Sequence, residues 1–253
     1  MKKVILCLMA AFFLQPAWAS NAAREIRMAE EIVDAILDGD AEMLTADGNE
    51  FLSIYTEAEQ ARGAVVIMHG RGFHPDWIDA VKPLRVGLVE HGWNTLSIQM
   101  PVLDKTAKYY DYEPIFPEAT PRIKAAIDFL RQKGNQKIIL LAHSCGAHMA
   151  MQYVRTEGDK NFDAYVGIGM GATDFQQPMR QPFPLDKISK PMLDVYGSDD
   201  YPAVQRMAPI RLHQLRIGGH PYSQQIVIPR ADHYFTDQGR PLVEAVSRWL
   251  ESI

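Results

Sequence analysis

The stretch LLAHSCGAHMA, residues 140–150, places a serine and a cysteine side by side, Ser144 and Cys145. The residues before them, KIILLAH (137–143), form a nearly continuous apolar run typical of a strand buried on both faces. The residues after them, CGAHMAMQYVR (145–155), follow a helical pattern. The stretch therefore predicts a strand, a sharp turn and a helix, with Ser144 at the turn.

The same alternation of short apolar runs and longer amphipathic segments continues in both directions from this stretch. Further strands are predicted at 51–55, 64–69, 94–100, 164–170, 191–197 and 225–229. Further helices are predicted at 21–44, 77–92, 117–134 and 241–253, and Pro83 is a candidate for the first turn of the second of these. Apolar strands separated by helices favour a mostly parallel sheet with helices on both faces. We therefore predict one α/β domain over residues 46–253, preceded by a helical segment over residues 20–45.

Four turns at predicted strand ends carry the chemistry, because parallel sheets place their sites at the carboxyl ends of the strands. In order they are HGRG (69–72), AHSCG (142–146), YGSDD (196–200) and ADHYF (231–235). A serine in a strand-to-helix turn matches the nucleophile elbow G-x-S-x-G, with an alanine in place of the first glycine. The glycine-rich HGRG turn can point a backbone N–H at the serine, opposite the N–H of Cys145.

Ser144 is favoured over Cys145 as the nucleophile by the size of the neighbouring residues. Ala142 and Gly146 are small and stand two positions before and two after Ser144. An elbow centred on Cys145 would instead require a small residue at His143. Cys145 is then expected to contribute its backbone N–H.

Taken together and in this order, the four motifs resemble those of the α/β-hydrolase superfamily across roughly residues 50–253. The resemblance implies the α/β-hydrolase fold, with Ser144 as nucleophile, His233 as general base and oxyanion donors at the backbone of Arg71 and Cys145. Since the acid of the superfamily usually stands three residues after the glycine, the resemblance implies Asp200, with Asp199 as the alternative. Asp174, which also follows a predicted strand, is a third and more remote candidate.

The other histidines near these motifs are given structural roles. We expect His69 to support the HGRG turn (residues 69–72, the oxyanion loop) through hydrogen bonds. We expect His148 to pack in the helix after the elbow. We expect His143 to serve the structure beside the elbow, although it could also shape the pocket. Their spacings do not match a zinc motif such as H-E-x-x-H. No metal and no organic cofactor is predicted.

Two segments should lie near the mouth of the site. Residues 102–121 follow a predicted strand, and their aromatic residues could line an entrance or only cover the edge of the sheet: Tyr109, Tyr110, Tyr112 and Phe116. Tyr109 and Tyr110 are the candidates for substrate binding. Residues 175–191 form a proline-rich excursion that is short for a lid domain, which favours an open pocket.

Residues 1–19 have the features of a secretory signal peptide. Lys2 and Lys3 precede an apolar run over residues 4–14, and Ala17-Trp18-Ala19 is a small-x-small cleavage site. The run is shorter than the about 20 apolar residues that span a bilayer, so no stable membrane insertion is predicted. We expect cleavage near Ala19 and a periplasmic or secreted protein. Cys145 would then be the one remaining cysteine, which excludes an intramolecular disulfide.

The net charge and the placement of the basic residues indicate which kinds of partner the protein does not bind. The formal net charge is −5, and removal of Lys2 and Lys3 takes it to −7. The basic residues form no cluster, which argues against a nucleic acid or an anionic membrane surface as the partner. Together with the four motifs and the resemblance that they carry, this leads us to predict a serine hydrolase that cleaves a small carboxylic ester through an acyl-enzyme. A peptidase or amidase with the same triad, and a non-catalytic binding protein on the same fold, remain as alternatives.

Overall fold

The computed structural model describes residues 19–171 and 177–253, and these form one eight-stranded mixed sheet with helices on both faces. The strands are β1 Asp40–Ala46, β2 Asn49–Thr56, β3 Ala64–Met68, β4 Asn94–Ile98, β5 Ile138–His143, β6 Ala164–Ile168, β7 Met192–Gly197 and β8 Gln224–Ile228. The helices are α1 Ala22–Val33, α2 Val81–Glu90, α3 Tyr109–Tyr112, α4 Ala119–Gln132, α5 Cys145–Glu157, α6 Pro202–Gly218 and α7 Gly239–Leu250. Short 3₁₀ turns cover Glu113–Glu118 and Leu185–Lys187.

The strand order is β1-β2-β4-β3-β5-β6-β7-β8. The last six strands in this order, β3 to β8, run parallel to one another. β2 is antiparallel to both β1 and β4. The four central parallel strands are fully buried, and β3, β5 and β6 are accordingly mostly apolar instead of alternating, whereas β4 buries the polar residues Asn94, Thr95 and Ser97. The predicted mostly parallel α/β architecture is confirmed.

Two separate hydrophobic layers cover the two faces of the sheet. One contains the apolar faces of α4 and α5, and the other contains those of α2 and α7. Helix α2 begins at Val81, so Pro83 does stand in its first turn. No helix within residues 19–171 and 177–253 has the length and apolarity needed to cross a bilayer.

The N-terminal region differs from the expected single helix over residues 21–44. Helix α1 ends at Val33, and residues 40–46 form the edge strand β1. Asp47 and Gly48 both have positive φ, 49° and 79°, as in the two-residue turns that join antiparallel strands. The turn thus pairs β1 with β2, and this pairing overrides the helical pattern of the sequence. Helix α6 and the short α3 were also missing from the prediction. Residues 1–18, which include most of the predicted signal peptide, lie outside the described ranges.

Candidate active site

Ser144 occupies a strained turn between β5 and α5. Its φ of 54° and ψ of −119° are rarely adopted by a residue with a side chain, and the strain pushes the hydroxyl out of the turn. The Ser144 backbone N–H donates to the carbonyl of Ile168 at 2.8 Å, which fixes the turn to β6. A Cβ atom on Gly146 would lie 2.6 Å from the backbone oxygens of Met68 and His69, so the glycine is required.

A continuous chain of hydrogen bonds joins the three predicted catalytic side chains. Ser144 Oγ lies 2.8 Å from His233 Nε2, and His233 Nδ1 lies 2.6 Å from Asp200 Oδ1. All three residues are buried. The ring therefore accepts a hydrogen bond from the serine hydroxyl at Nε2 and donates Nδ1–H to the carboxylate, which is the arrangement that a general base requires.

Asp199, the alternative acid, is placed elsewhere. It is exposed, and its Oδ1 accepts a hydrogen bond from Ser198 Oγ at 3.1 Å instead of contacting His233. Asp200 is the carboxylate that the structure brings to the histidine. Asp174 lies outside the described residues.

Two backbone N–H groups beside the serine are available for an oxyanion. Within the described parts of the chain, neither the N–H of Arg71 nor that of Cys145 donates to a protein acceptor. Cys145 N–H is at the first position of α5, where a helix leaves its N–H groups free. Within the residues that the structure describes, both predicted oxyanion donors are thus unpaired, one in the HGRG turn after β3 and one in the turn that carries Ser144.

The side chain of Cys145 is not available for the same chemistry. It is 1% exposed, and burial raises the pKa of its thiol to about 12, although the Arg71 guanidinium acts in the opposite direction. At neutral pH the sulfur is therefore protonated and inaccessible.

Two buried histidines hold the loops around the triad. His69 Nδ1–H donates to the Gly70 carbonyl at 2.8 Å, and its Nε2 accepts from the backbone N–H of Met100 at 2.9 Å. His143 Nε2–H donates to the backbone carbonyl of His233 at 2.8 Å. Burial lowers the pKa of His69 to about 3 and that of His143 to about 4, so both rings are neutral at pH 7. Both act through hydrogen bonds, as predicted for His69.

His148 is packed, as predicted. Its Nε2–H donates to the carbonyl of Gly171 at 2.9 Å, and its ring lies among those of Tyr109, Phe116 and Phe183. Burial lowers its pKa to about 4.

The aromatic residues near the site are arranged differently from the expected entrance. Tyr109, Tyr112 and Phe116 are 2%, 1% and 7% exposed and belong to the core, so Tyr109 does not line an open entrance. Tyr110 is half-buried, and its hydroxyl donates to the carbonyl of Pro178 at 3.0 Å. Of the two predicted substrate-binding tyrosines, only Tyr110 reaches the surface.

A second set of aromatic residues, missed in the sequence, borders the catalytic histidine. The Tyr201 ring is stacked on His233 with 4.2 Å between ring centroids, and its hydroxyl lies 2.6 Å from that of Tyr234. Phe73 lies next to Tyr234, with 5.9 Å between the centroids. Tyr201 and Tyr234 each directly follow a triad residue in the sequence, but nothing in the local pattern shows that their rings meet.

Within residues 19–171 and 177–253, no group of three or more His, Cys, Asp or Glu side chains is arranged to hold a metal ion.

Several solved structures share this fold. Est1E from Butyrivibrio proteoclasticus is 16% identical, with a TM-score of 0.65 over 85% of this chain and 98% of its own. Dienelactone hydrolase from Anabaena variabilis is 19% identical, with a TM-score of 0.66 over 85% and 97%. XC6422 from Xanthomonas campestris, described as an α/β serine hydrolase without lid, is 14% identical, with a TM-score of 0.61 over 86% and 95%. These likenesses confirm the α/β-hydrolase fold implied by the sequence motifs.

Sequence comparison gives a narrower grouping. No curated protein matches the chain in sequence. The profile of a family described as "Protein of unknown function (DUF3530)" matches residues 14–121 and 116–251. Because these matches cover well over half of its length, the chain belongs to the DUF3530 family.

Proposed function

We propose that this protein is a serine hydrolase that cleaves small carboxylic esters by two-step acyl transfer. The observation that carries the proposal is the unbroken hydrogen-bonded chain from Ser144 through His233 to Asp200, together with the backbone N–H groups of Arg71 and Cys145, which have no acceptor among the described residues. Each part has a separate role in acyl transfer, and together they meet the geometric requirements of a triad.

In the first step Ser144 Oγ attacks the ester carbonyl while His233 Nε2 takes the hydroxyl proton. The negative charge that develops on the carbonyl oxygen is held by the N–H groups of Arg71 and Cys145. Loss of one such donor lowers kcat by about 10²–10³-fold in a measured case. Protonated His233 then gives its proton to the departing alcohol, which leaves an acyl group on Ser144.

In the second step water attacks the acyl-enzyme. His233 Nε2 removes a proton from the water, and the same two N–H groups hold the oxyanion. Collapse of the intermediate releases the carboxylic acid and returns the proton to Ser144. Asp200 keeps Nδ1 protonated throughout and stabilises the positive ring.

A panel of p-nitrophenyl esters of increasing acyl length tests the proposal directly. We expect turnover that is lost in Ser144→Ala, and we expect a fluorophosphonate probe to label the wild type once and Ser144→Ala not at all. Turnover of peptide or anilide reporters in place of esters would indicate a peptidase or amidase. Absence of both turnover and labelling would favour a binding protein.

We also propose that the protein acts in the periplasm or outside the cell, after cleavage of residues 1–19. Support comes from the basic start, the short apolar run and the Ala-x-Ala site. N-terminal sequencing of the exported protein should give Ser20 or Asn21. An intact Met1 in the membrane fraction would contradict the proposal.

A further inference from the structure

We propose that helix α1 positions the oxyanion loop, residues 69–72. We propose further that cleavage after Ala19 frees the amine of Ser20 to pair with Glu118, and that this ion pair fixes the start of α1. The inference rests on the proposed function and on the proposed cleavage. It assigns roles to Arg24, Glu118 and the N-terminal amine.

Arg24 joins α1 to the oxyanion loop. Its Nη2 donates to the backbone carbonyl of Gly72 at 3.0 Å, and its Nη1 donates to the carbonyl of Leu103. Gly72 directly follows Arg71, whose N–H is a proposed oxyanion donor. The loop has glycines at 70 and 72, and Gly72 has a φ of 72°, so the local backbone is intrinsically permissive. His69 holds the Gly70 carbonyl, which shares a peptide group with the Arg71 N–H, and Arg24 adds a second tie, from outside the loop, at the Gly72 carbonyl.

The helix that carries Arg24 is held mainly by polar contacts. Its residue Ile26 is 57% exposed and Val33 is 40% exposed, whereas Glu25 is buried. The Glu25 carboxylate accepts from the backbone N–H of Val102 at 3.0 Å and pairs with Arg122 at 2.8 Å. With little apolar area in contact, the position of α1 depends on these bonds and on those at its first residues.

The first residues of this region are bound at both backbone and side chain. Asn21 N–H donates to the carbonyl of Val102 at 2.7 Å, and the Asn21 side chain caps α1 by accepting from Arg24 N–H at 2.9 Å. Immediately before it, the backbone nitrogen of Ser20 lies 3.1 and 3.3 Å from the two carboxylate oxygens of Glu118. Glu118 is half-buried at the end of the turn that precedes α4.

Cleavage changes the chemistry at this contact. Hydrolysis of the Ala19–Ser20 peptide bond by a leader peptidase adds water, leaving a carboxylate on Ala19 and an amine on Ser20. An α-amino group has an ordinary pKa of about 8, so at neutral pH it takes up a proton. A single amide N–H facing Glu118 then becomes an ammonium with three donors, and charge-assisted hydrogen bonds are the stronger kind.

The surroundings of the Ser20 nitrogen are suited to an ammonium, because the Glu118 carboxylate has the opposite charge and there is open space beside it. An open groove adjoins Ser20 and is lined by residues 19–23 and by the segment 103–111, so protons not directed at Glu118 can be hydrated. A tighter Ser20–Glu118 contact fixes the first turn of α1, which fixes Arg24 and hence the Gly72 carbonyl. The predicted consequence is that the processed protein is the more active form.

The Arg24 step is tested with Arg24→Gln and with Arg27→Gln as a matched control, since Arg27 is exposed on the same helix and forms no hydrogen bond or ion pair to the described residues. A misplaced oxyanion donor weakens binding of the transition state more than that of the ester. We therefore expect Arg24→Gln to lower kcat about tenfold with KM changed less than twofold. Arg27→Gln should leave both values unchanged. Expressing kcat per fluorophosphonate-labelled site removes any contribution from unfolded protein.

The amine step is tested with a double-mutant cycle on two forms of the protein, one beginning at Ser20 and one with two alanines added before Ser20. We expect the extension to lower kcat per labelled site about threefold, the effect of losing one partly exposed ion pair. Glu118→Gln should lower the kcat of the Ser20 form by the same factor and leave the extended form unchanged.

Four results would overturn the inference. Equal kcat for the Ser20 and extended forms, or additive effects of extension and Glu118→Gln, would show that the amine has no role. Equal behaviour of Arg24→Gln and Arg27→Gln would show that α1 does not position the loop. Cleavage found at Asn21 would remove the amine from Glu118. Failure of the proposed function is distinct, since the Ser20 form would then turn over no ester at all.

Discussion

Ser144 and Cys145 are neighbours in the chain, but their environments give them opposite chemistry. The positive φ of Ser144 turns its hydroxyl toward His233, at 2.8 Å. The next side chain is carried into the core by the first turn of α5, where burial raises the pKa of the Cys145 thiol to about 12. Position in the turn therefore outweighs the greater intrinsic nucleophilicity of sulfur.

Cys145→Ala should keep most of the activity, because the proposed oxyanion donor is a backbone group that alanine also has. Ser144→Ala should remove nearly all of it.

In the folded wild type, we expect iodoacetamide to leave Cys145 unmodified between pH 6 and 9, since the thiol is protonated throughout this range. The same reagent should modify Cys145 once urea unfolds the protein. Fluorophosphonate labelling that persists in Ser144→Ala but disappears in Cys145→Ala would reverse the assignment.

Asp200→Asn should reduce kcat far more than Asp199→Asn. The carboxylate that accepts from His233 Nδ1 fixes the tautomer, and the equivalent change in a related triad lowers kcat about 10⁴-fold. Asp199 is exposed and bonded to Ser198, so its variant should stay within about threefold of the wild type. Steady-state kinetics on one p-nitrophenyl ester decides between them. If both changes are mild, Asp174 becomes the candidate acid.

At the scale of elements, α6 is fixed to the sheet by a buried ion pair below the acid. Arg211 Nε donates to Asp194 Oδ2 at 2.8 Å, and both side chains are at most 1% exposed. Arg211 Nη1 also donates to the carbonyls of Met170 and Val204, at 2.6 and 2.9 Å. One guanidinium thus connects β7, α6 and the loop after β6, around the turn that carries Asp200.

Arg211→Met should destabilise the fold strongly, because it leaves the Asp194 charge buried without its partner. Removal of one member of such a pair typically costs about 3–5 kcal/mol. Urea unfolding should show this loss, while Arg216→Gln on the exposed side of α6 should show almost none. Adding Asp194→Leu to Arg211→Met should recover part of the stability. A change below about 1 kcal/mol for the single variant would mean that the pair does not hold α6.

At the scale of the whole molecule, three buried neutral histidines make stability depend on pH. The pKa values of His69, His143 and His148 are lowered by burial to about 3, 4 and 4. In the unfolded chain these rings take up protons below about pH 6.5. Between pH 6.5 and 4 the unfolded state therefore binds more protons than the folded state, and stability falls as the pH falls.

The free energy of unfolding should consequently decrease from pH 7 to pH 5, by an amount of the order of 1–2 kcal/mol for each buried histidine. Urea unfolding at the two pH values measures this difference. His148→Gln should show a smaller difference than the wild type, whereas His213→Gln, at an exposed position of α6, should show the same one. Stability that does not change between pH 7 and 5 would contradict neutral burial.

The α/β architecture and the candidate triad of Ser144, His233 and an acid at 199–200 could be predicted from the sequence alone. Both follow from local rules: strands buried on two faces are mostly apolar, and parallel strands bring their carboxyl ends to one edge. The elbow could also be predicted from the sequence. Gly146 lies so close to the backbone of His69 that a small residue is required there, two positions after the serine.

The remaining features depend on contacts between distant segments, and the structure was needed to find them. The carboxylate of Asp200 contacts His233, whereas that of Asp199 contacts Ser198. A sequence pattern does not show which of two adjacent residues in a turn faces the histidine. Tyr109 is apolar enough for either an entrance or a core, and packing against His148 placed it in the core. Strand β1 formed because β2 offered an open edge, which outweighed the helical spacing of its residues. The contact from Arg24 to Gly72 spans 48 residues, and such long-range hydrogen bonds are set by how the elements pack.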